Sequence, residues 1–195
     1  MAEQVQQTAQ IMWQGRYITA IREGQWEYVN RANGIGAAVI LAIDDADGDP
    51  VVVLVEEYRT ALHRRCLGLP AGLVGDEAVS HSGPMASGDD AMLAAAKREL
   101  LEETGYIAGT WRNAGDYYSS PGMVGESFTL FIARDMERAG NGGGVDGENI
   151  TVHRVPLSHM AAFIAERRAA GVAIDVRITM LLAPDWLAPE RPEPE

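Results

Sequence analysis

Three glutamates near the end of a predicted helix have the residue type and spacing best suited to chemistry. The helix covers residues 91–106, and the glutamates are Glu99, Glu102 and Glu103. Each helical residue advances about 100°, so the three carboxylates fall within one arc beside the apolar face. Like charges at this spacing repel, and the negative end of the helix dipole disfavours them further. A divalent cation would relieve both effects; the alternative is a solvated acidic face in which Arg98 pairs with Glu102.

The donor atoms available near these glutamates indicate which ion would bind. Residues 69–73 (LPAGL) are predicted to end a strand and turn at Gly72, where a backbone carbonyl could add an oxygen ligand. Oxygen ligands without thiolates or clustered histidines select a hard ion, Mg²⁺ or Mn²⁺. The single cysteine, Cys66, excludes an internal disulfide and a Cys-rich zinc site. We expect Cys66 to be a buried thiol, with a catalytic nucleophile as the alternative.

The elements that position these residues are predicted from the apolar pattern. Two or three antiparallel strands are expected within residues 11–31, and a hairpin joins 35–43 to 51–55. Gly105 is expected to end the glutamate helix, and Ser158 to cap a later one. Further elements are strands at 128–133 and 150–155, helices at 158–170 and 175–182, and flexible loops at 77–90 and 140–147. This order predicts a mixed sheet with helices packed on it, in the α/β (α+β) class.

The composition limits the partners of the chain. Its 195 residues include 16 Lys and Arg against 28 Asp and Glu, for a formal net charge of −12. Such an acidic surface argues against non-specific binding to nucleic acid or to anionic membranes. The N-terminal residues carry neither a basic stretch nor an apolar run, so no signal peptide is visible. A cytoplasmic location is the expectation.

Residues 98–106 (RELLEETGY) resemble the second half of the signature of the Nudix hydrolase family. That signature runs Gly, five residues, Glu, seven residues, then Arg-Glu-apolar-x-Glu-Glu-x-Gly-apolar, and this half matches at every fixed position. In the first half Gly72 fits the opening glycine, and Asp90 stands where the family has Glu. However, 17 residues separate the two instead of five. This insertion of 12 residues is either a tolerated surface extension or a loop that selects substrate.

Other motifs are similar to the ADP-ribose pyrophosphatase branch, in the same order, over about residues 11–187. They are 26–31, 51–59, 69–73, 120–122 with Glu126, 146–150 and 171–182. The resemblance implies a Nudix fold, in which helices sandwich a mixed sheet that carries a small N-terminal antiparallel extension. The implied organisation is an extension at 1–33 that mediates dimerisation and possible strand exchange, a hydrolase domain at 34–187 and a disordered tail at 188–195. One departure is Gly68, where the branch often has Glu.

The same resemblance implies a set of metal ligands and leaves the general base open. Glu99 and Glu103 are implied as the main ligands, with Glu102 auxiliary and the Ala71 carbonyl completing the set. Arg98 is implied to orient a glutamate.

Candidates for the base are Glu148 and Asp146, in the loop where this branch places its base, and Glu126. Each of the three can also be interpreted as a solvated surface charge.

Four residues are candidates for substrate binding. Arg59 follows a buried strand and could pair with a pyrophosphate or form a surface ion pair. Trp26, Tyr28 and Arg31 could stack on or bond to a nucleobase, while core packing is the alternative for the two aromatic residues.

The activity implied by the resemblance is Mg²⁺-dependent hydrolysis of the pyrophosphate bond in a nucleoside diphosphate linked to a second group. ADP-ribose, cleaved to AMP and ribose 5-phosphate, is the first expectation. The alternatives are GDP-mannose or another nucleotide sugar, and a non-catalytic nucleotide sensor. The branch also implies a homodimer.

Overall fold

The computed structural model describes residues 8–32, 36–45, 48–74, 89–145 and 147–182. Three expectations therefore lie outside the described residues. They are most of the insertion after Gly72, the candidate base Asp146 and the C-terminal tail.

Eleven strands and two α-helices make up the described part of the fold. The strands are β1 Gln10–Gln14, β2 Ile18–Glu23, β3 Trp26–Arg31, β4 Ala37–Asp44, β5 Val51–Arg59, β6 Arg64–Gly68, β7 Ala71–Leu73, β8 Tyr106–Tyr118, β9 Ser127–Arg138, β10 Thr151–Pro156 and β11 Ala173–Ile174. The helices are α1 Asp89–Glu99, which continues as a π-helical turn at Leu100–Thr104, and α2 Met160–Ala169. Short 3₁₀ segments cover Thr60–Leu62, Leu157–His159 and Val176–Leu182.

The first three strands form a separate antiparallel sheet in the order β1-β2-β3, which confirms the prediction for this region. Strand β3 contacts the rest of the protein through backbone hydrogen bonds. For example, the Val29 amide donates to the Met123 carbonyl at 2.9 Å. Several large apolar side chains on this sheet are exposed, including Ile11 at 64% and Trp26 at 66%. Within the described residues of one chain, the sheet therefore presents an exposed apolar surface.

The main sheet has eight strands and is mixed, as predicted. Its order is β11-β6-β5-β4-β9-β8, with β10 added along β5 and β7 along β4. The β4–β9 and β11–β6 pairs are parallel, and the other pairs are antiparallel. The predicted hairpin is present, with Asp44 opposite Val51.

Helices cover both faces of the main sheet. Val39, Leu41 and Ile43 of β4 pack in a cluster with residues of α2, whereas the alternate residues pack in a second cluster with α1. This alternation is what a period of two residues per strand produces when both faces are buried. The predicted sheet between helices is confirmed. Within the described ranges, no helix combines the length and the apolar character needed to cross a bilayer.

Two local predictions were wrong. The long strand β8 was not predicted, because it lies at the edge of the sheet and its many exposed residues include Gly109 and Gly115, so it forms no apolar run. Ser158 does not cap α2, which begins at Met160 after a 3₁₀ turn. The Ser158 hydroxyl instead donates to the Asp49 carboxylate at 2.7 Å.

Candidate active site

The glutamate helix ends in a wider turn than the sequence indicated. Residues Leu100–Thr104 form a π-helical turn, so Glu102 and Glu103 lie in that turn and only Glu99 belongs to α1. The Thr104 hydroxyl donates to the Leu100 carbonyl within it. Gly105 then ends the helix with a φ of 76°, as predicted. Turns of this kind are rare and are frequently found at functional sites.

Glu103 is the most deeply buried of the three glutamates, with only 6% of its surface exposed. One carboxylate oxygen, Oε2, accepts a hydrogen bond from the Ala71 amide at 3.1 Å. Burial raises the pKa of Glu103 to about 8, and the nearby carboxylates of Glu99, Glu57 and Glu148 add to the shift against the Ala71 bond. A buried carboxyl surrounded by other carboxylates is a group that a cation would stabilise.

Glu99 lies against the backbone of β7. A Cβ atom on Gly72 would be 1.9 Å from the carboxyl carbon of Glu99, so only glycine at this position leaves room for the side chain. Burial raises the pKa of Glu99, while the adjacent Arg98 guanidinium opposes the shift. The close approach joins the LPAGL turn to the glutamate helix.

Arg98 joins two of the glutamates. Its guanidinium lies 2.7 Å from Glu99 Oε1 and 2.8 Å from Glu102 Oε2. The two Nη atoms of Arg98 therefore pair with different carboxylates, and its implied role of orienting a glutamate stays a prediction.

Glu57 is a fourth carboxylate, and in the sequence it stood out only as part of the motif at residues 51–59. Burial raises its pKa, and Glu148 adds to the shift while Arg59 opposes it. In β5 the alternation that places Val53 against α1 also places Glu57 on that face. A period-two count along β5 could therefore have found Glu57 if the strand had been predicted to continue to Arg59. The expected strand ended at residue 55.

These donors fit a hard divalent cation by their chemistry. Glu57, Glu99 and Glu148 are close enough to Glu103 to raise its pKa, and all four side chains offer carboxylate oxygens. Among the described residues, however, no three His, Cys, Asp or Glu side chains already surround one point as ligands. The carboxylates would have to turn toward an ion.

A cleft of about 610 Å³ opens beside the LPAGL turn, and among the described residues three arginines line it. Arg31 is ion-paired with Glu126, and Arg59 lies 2.5 Å from Glu57. Arg177, the third arginine, pairs with Asp175 at 2.5 Å. The structure thus brings the predicted residues Arg31, Arg59 and Glu126 together at one opening.

Asp175 and Arg177 were not predicted as site residues. They flank Val176, the first residue of the last 3₁₀ segment, and the Asp175 carboxylate accepts from both the Arg177 amide and its Nε at 2.8 Å. Such a local pair has no specific sequence signal, because its position in the cleft depends on the parallel pairing of β11 with β6. A Cβ atom on Gly68 would lie 3.7 Å from the Asp175 Cβ, so the absence of a side chain at position 68 leaves space beside this pair.

The remaining candidates are placed differently. Glu148 is exposed, and its Oε2 accepts from the Val145 amide at 3.0 Å within its own loop. Tyr28 lines a separate groove of about 240 Å³ with Met12 and Met123 on the N-terminal sheet. Trp26 lies exposed on the same sheet. Within one chain, neither aromatic residue is among those that line the arginine cleft.

Cys66 lines the wall of the cleft as a free, buried thiol. Burial raises its pKa, and the Asp175 carboxylate adds to the shift. Since the thiolate is the reactive form, this environment favours an inert thiol over a nucleophile.

Comparisons with known proteins agree with the fold and with the glutamate motif. A family model described as the NUDIX domain matches residues 34–173. An uncharacterized Nudix hydrolase from Schizosaccharomyces pombe is 30% identical over 163 residues, which are 79% of this chain and 74% of the relative. A GDP-mannose pyrophosphatase from Cronobacter sakazakii is 33% identical over 151 residues, 76% of this chain and 72% of the relative.

A crystal structure of an ADP compounds hydrolase has the same fold, with a TM-score of 0.63 and 21% identity. The match covers 95% of this chain and 97% of the other. With the family model covering most of the chain, the conclusion is that this protein belongs to the Nudix hydrolase family.

Proposed function

We propose that this protein hydrolyses the pyrophosphate bond of a nucleotide sugar with the help of a divalent metal ion. The observation that carries the proposal is the position of Glu103, buried against the Ala71 amide and surrounded by carboxylates, next to a cleft that three arginines line. The carboxylates offer a place for a cation, and the arginines offer donors for a phosphate.

Glu99 and Glu103 would hold the metal, with Glu102 and the Ala71 carbonyl as further ligands. Mg²⁺ is the proposed ion and Mn²⁺ a possible substitute. When bound, the ion supplies charge neutralisation at the phosphate oxygens and acidifies water. Arg98 holds Glu99 and Glu102 in position through its two ion pairs. Glu57 is proposed as an additional acidic group of the site, because it lies within electrostatic range of Glu103.

The arginines of the cleft are proposed to bind the pyrophosphate. A guanidinium presents a planar set of donors that matches phosphate oxygens, and it keeps its charge at any working pH. Arg59 and Arg31 are each held by a carboxylate before substrate binds, which limits the side-chain entropy that binding would cost.

Glu148 is proposed as the general base. Glu126 is engaged in an ion pair with Arg31, so its carboxylate already has a partner. Glu148 is exposed and lies within electrostatic range of Glu99 and Glu103. Asp146 stays an alternative of the same loop.

Two nucleotide sugars are the leading substrates. The motif order favours ADP-ribose, with AMP and ribose 5-phosphate as products. The relative from Cronobacter sakazakii is named a GDP-mannose pyrophosphatase and matches 76% of this chain, which favours GDP-mannose as the second candidate. A pure nucleotide sensor is disfavoured, because a binder has no need of several repelling carboxylates in one buried site.

A homodimer is proposed as the working form. The exposed apolar residues of the N-terminal sheet would be buried by a second copy, and Trp26 and Tyr28 would then reach the cleft of the partner.

A substrate panel tests the proposal. Purified protein with Mg²⁺ is offered ADP-ribose, ADP-glucose, GDP-mannose, NADH and a dinucleoside polyphosphate, and kcat/KM is compared. We expect one nucleotide sugar to exceed the other compounds by at least about tenfold. Equal, very slow turnover of every compound would contradict a nucleotide-sugar pyrophosphatase.

A further inference from the structure

A glycine-rich segment at residues 139–145, before β10, is hydrogen-bonded to the end of the glutamate helix. The amides of Ala139 and Gly140 both donate to the Gly105 carbonyl at 2.9 Å. The Gly143 amide donates to the Glu103 carbonyl at 2.8 Å, and the Gly144 amide donates to the Glu102 carbonyl at 3.0 Å. The last carbonyls of a helix have no partners within the helix, and here the glycine-rich segment supplies them.

The attachment depends on glycine on both sides. Gly142 has a φ of 67°, and a Cβ atom there would lie 2.4 Å from the Thr104 carbonyl carbon and 2.7 Å from the Gly105 nitrogen. A Cβ atom on Gly105 would lie 2.4 Å from the Gly140 carbonyl oxygen. These neighbours are backbone atoms, which cannot move aside as a flexible side chain can.

The same segment carries Glu148 in a short closed loop. The Ile150 amide donates to the Gly143 carbonyl at 3.1 Å, and the Ile150 side chain is buried. Between these two residues, Glu148 accepts from the Val145 amide at 3.0 Å. The start of the loop, at Gly143 and Gly144, is therefore hydrogen-bonded to the backbone of Glu103 and Glu102. The side chains of these two glutamates belong to the carboxylate cluster.

We propose that Gly142 is a positioning residue that fixes Glu148 relative to Glu103. Its contact with Thr104 and Gly105 lets the amides of Gly143 and Gly144 reach the helix carbonyls. This inference rests on the proposed function, in which Glu148 is the base. The sequence predicted a flexible loop at this place. In the structure, the hydrogen bonds of the loop to the end of the glutamate helix restrict the position of the proposed general base, Glu148.

The first test compares Gly142→Ala with Gly115→Ala. Gly115 also has a positive φ, of 98°, but no atom lies within 4 Å of a Cβ built there, and it belongs to β8 and is not among the residues that line the cleft. Both variants place an alanine at a positive φ and so strain the backbone. Only Gly142→Ala also disturbs the hydrogen bonds between the glycine-rich segment and the end of the glutamate helix. We expect Gly142→Ala to lower kcat by at least about tenfold, with KM within twofold, because a misplaced base loses part of a contribution of about 10²–10⁴. Equal effects of the two variants on kcat would overturn the proposal.

The second test separates positioning from general damage. The substitution Gly142→Ala is repeated in a Glu148→Gln background, where no base is left to position. We expect Gly142→Ala to change kcat by less than about twofold in that background. A loss of the same size in both backgrounds would show that Gly142 does not act through Glu148.

A measurement without turnover keeps the test independent of the activity. In amide hydrogen exchange on the wild-type protein, Gly143 and Gly144 are expected to be as protected as the interior of α1, because their amides are bonded to helix carbonyls. Rapid exchange at both glycines would overturn the attachment even if the enzyme is active. Strong protection in a protein that hydrolyses no nucleotide sugar would instead support the attachment and contradict the proposed function.

Discussion

The amide of Ala71 donates a hydrogen bond to the carboxylate of Glu103 across 3.1 Å. This bond joins the LPAGL turn to the glutamate helix, although 31 residues lie between them in the sequence. Ala71 also lines the arginine cleft. One bond therefore links the carboxylate cluster to the cavity in which substrate is proposed to bind.

The burial of Glu103 predicts how stability depends on pH without metal. Its pKa is about 8 in the folded protein and 4.5 in an exposed chain, so the folded state holds the proton over a wider range. The favourable contribution of protonated Glu103 to the free energy of unfolding is complete below pH 4.5, and it is lost as the pH rises toward 8. The metal-free protein should therefore have a lower melting temperature at pH 8 than at pH 5.5.

The variant Glu103→Gln provides the matched comparison for this effect. A neutral amide removes the buried charge and can still accept from the Ala71 amide, so the drop in melting temperature between pH 5.5 and pH 8 should shrink. Mg²⁺ should raise the melting temperature of the wild-type protein at pH 8 and leave that of Glu103→Gln unchanged. An unaltered pH dependence in the variant would contradict the assignment of the buried charge to Glu103.

Gly72→Ala should damage the site without unfolding the protein. The added methyl group would meet the carboxyl end of Glu99, which can swing away at the cost of its place beside β7. We expect kcat to fall by at least about tenfold while the melting temperature changes by only a few degrees. Activity at the wild-type level would mean that the observed position of Glu99 is not needed for catalysis.

Glu56 and Glu57 are neighbours on opposite faces of β5 and offer a matched pair of substitutions. Glu57→Gln removes one charge near Glu103, so the Mg²⁺ concentration for half-maximal activity should rise several-fold. Glu56 is buried on the other face, where Arg65 Nε lies 2.7 Å and His153 Nε2 lies 3.1 Å from its carboxylate. Glu56→Gln should lower the melting temperature and leave the Mg²⁺ requirement unchanged. If a metal titration showed that Glu56→Gln raises the Mg²⁺ requirement and Glu57→Gln does not, Glu57 would be excluded from the site.

A charge placed on the exposed N-terminal sheet should disrupt the proposed dimer. Ile11→Glu puts a carboxylate on the exposed apolar surface of the proposed dimer contact, where it would be desolvated without a partner. The wild-type protein should have the mass of a dimer in light scattering, and the variant should be largely monomeric. Its KM should also increase, since Trp26 and Tyr28 would no longer reach a partner's cleft. A wild-type monomer with full activity would contradict the dimer.

The parts of the site that sequence could predict are those encoded by local spacing. Glu99 lies on a helix as predicted, and Gly105 carries the positive φ that ends it. The β4–β5 hairpin follows from two apolar runs separated by a turn-rich segment. In each case, residues within a few positions of one another determine the structure.

The missed parts depend on contacts between distant segments. β8 is held by its pairing with β9, and its own residues alternate too weakly to predict a strand. Arg177 reaches the cleft because β11 pairs in parallel with β6, more than a hundred residues earlier in the chain. The turn at Leu100–Thr104 was predicted as α-helix, because the sequence does not show whether a side chain such as Thr104 bonds within the turn.

The central claim is that the carboxylate cluster around Glu103 supports metal-dependent cleavage of a nucleotide sugar. The most direct test measures release of nucleoside monophosphate from ADP-ribose and from GDP-mannose by the wild-type protein and by Glu103→Gln, with Mg²⁺ and with a chelator. We predict that the wild-type protein with Mg²⁺ releases AMP or GMP, and that chelation or Glu103→Gln lowers the rate by at least about a hundredfold. Release at the wild-type rate by the Glu103→Gln variant would contradict the account.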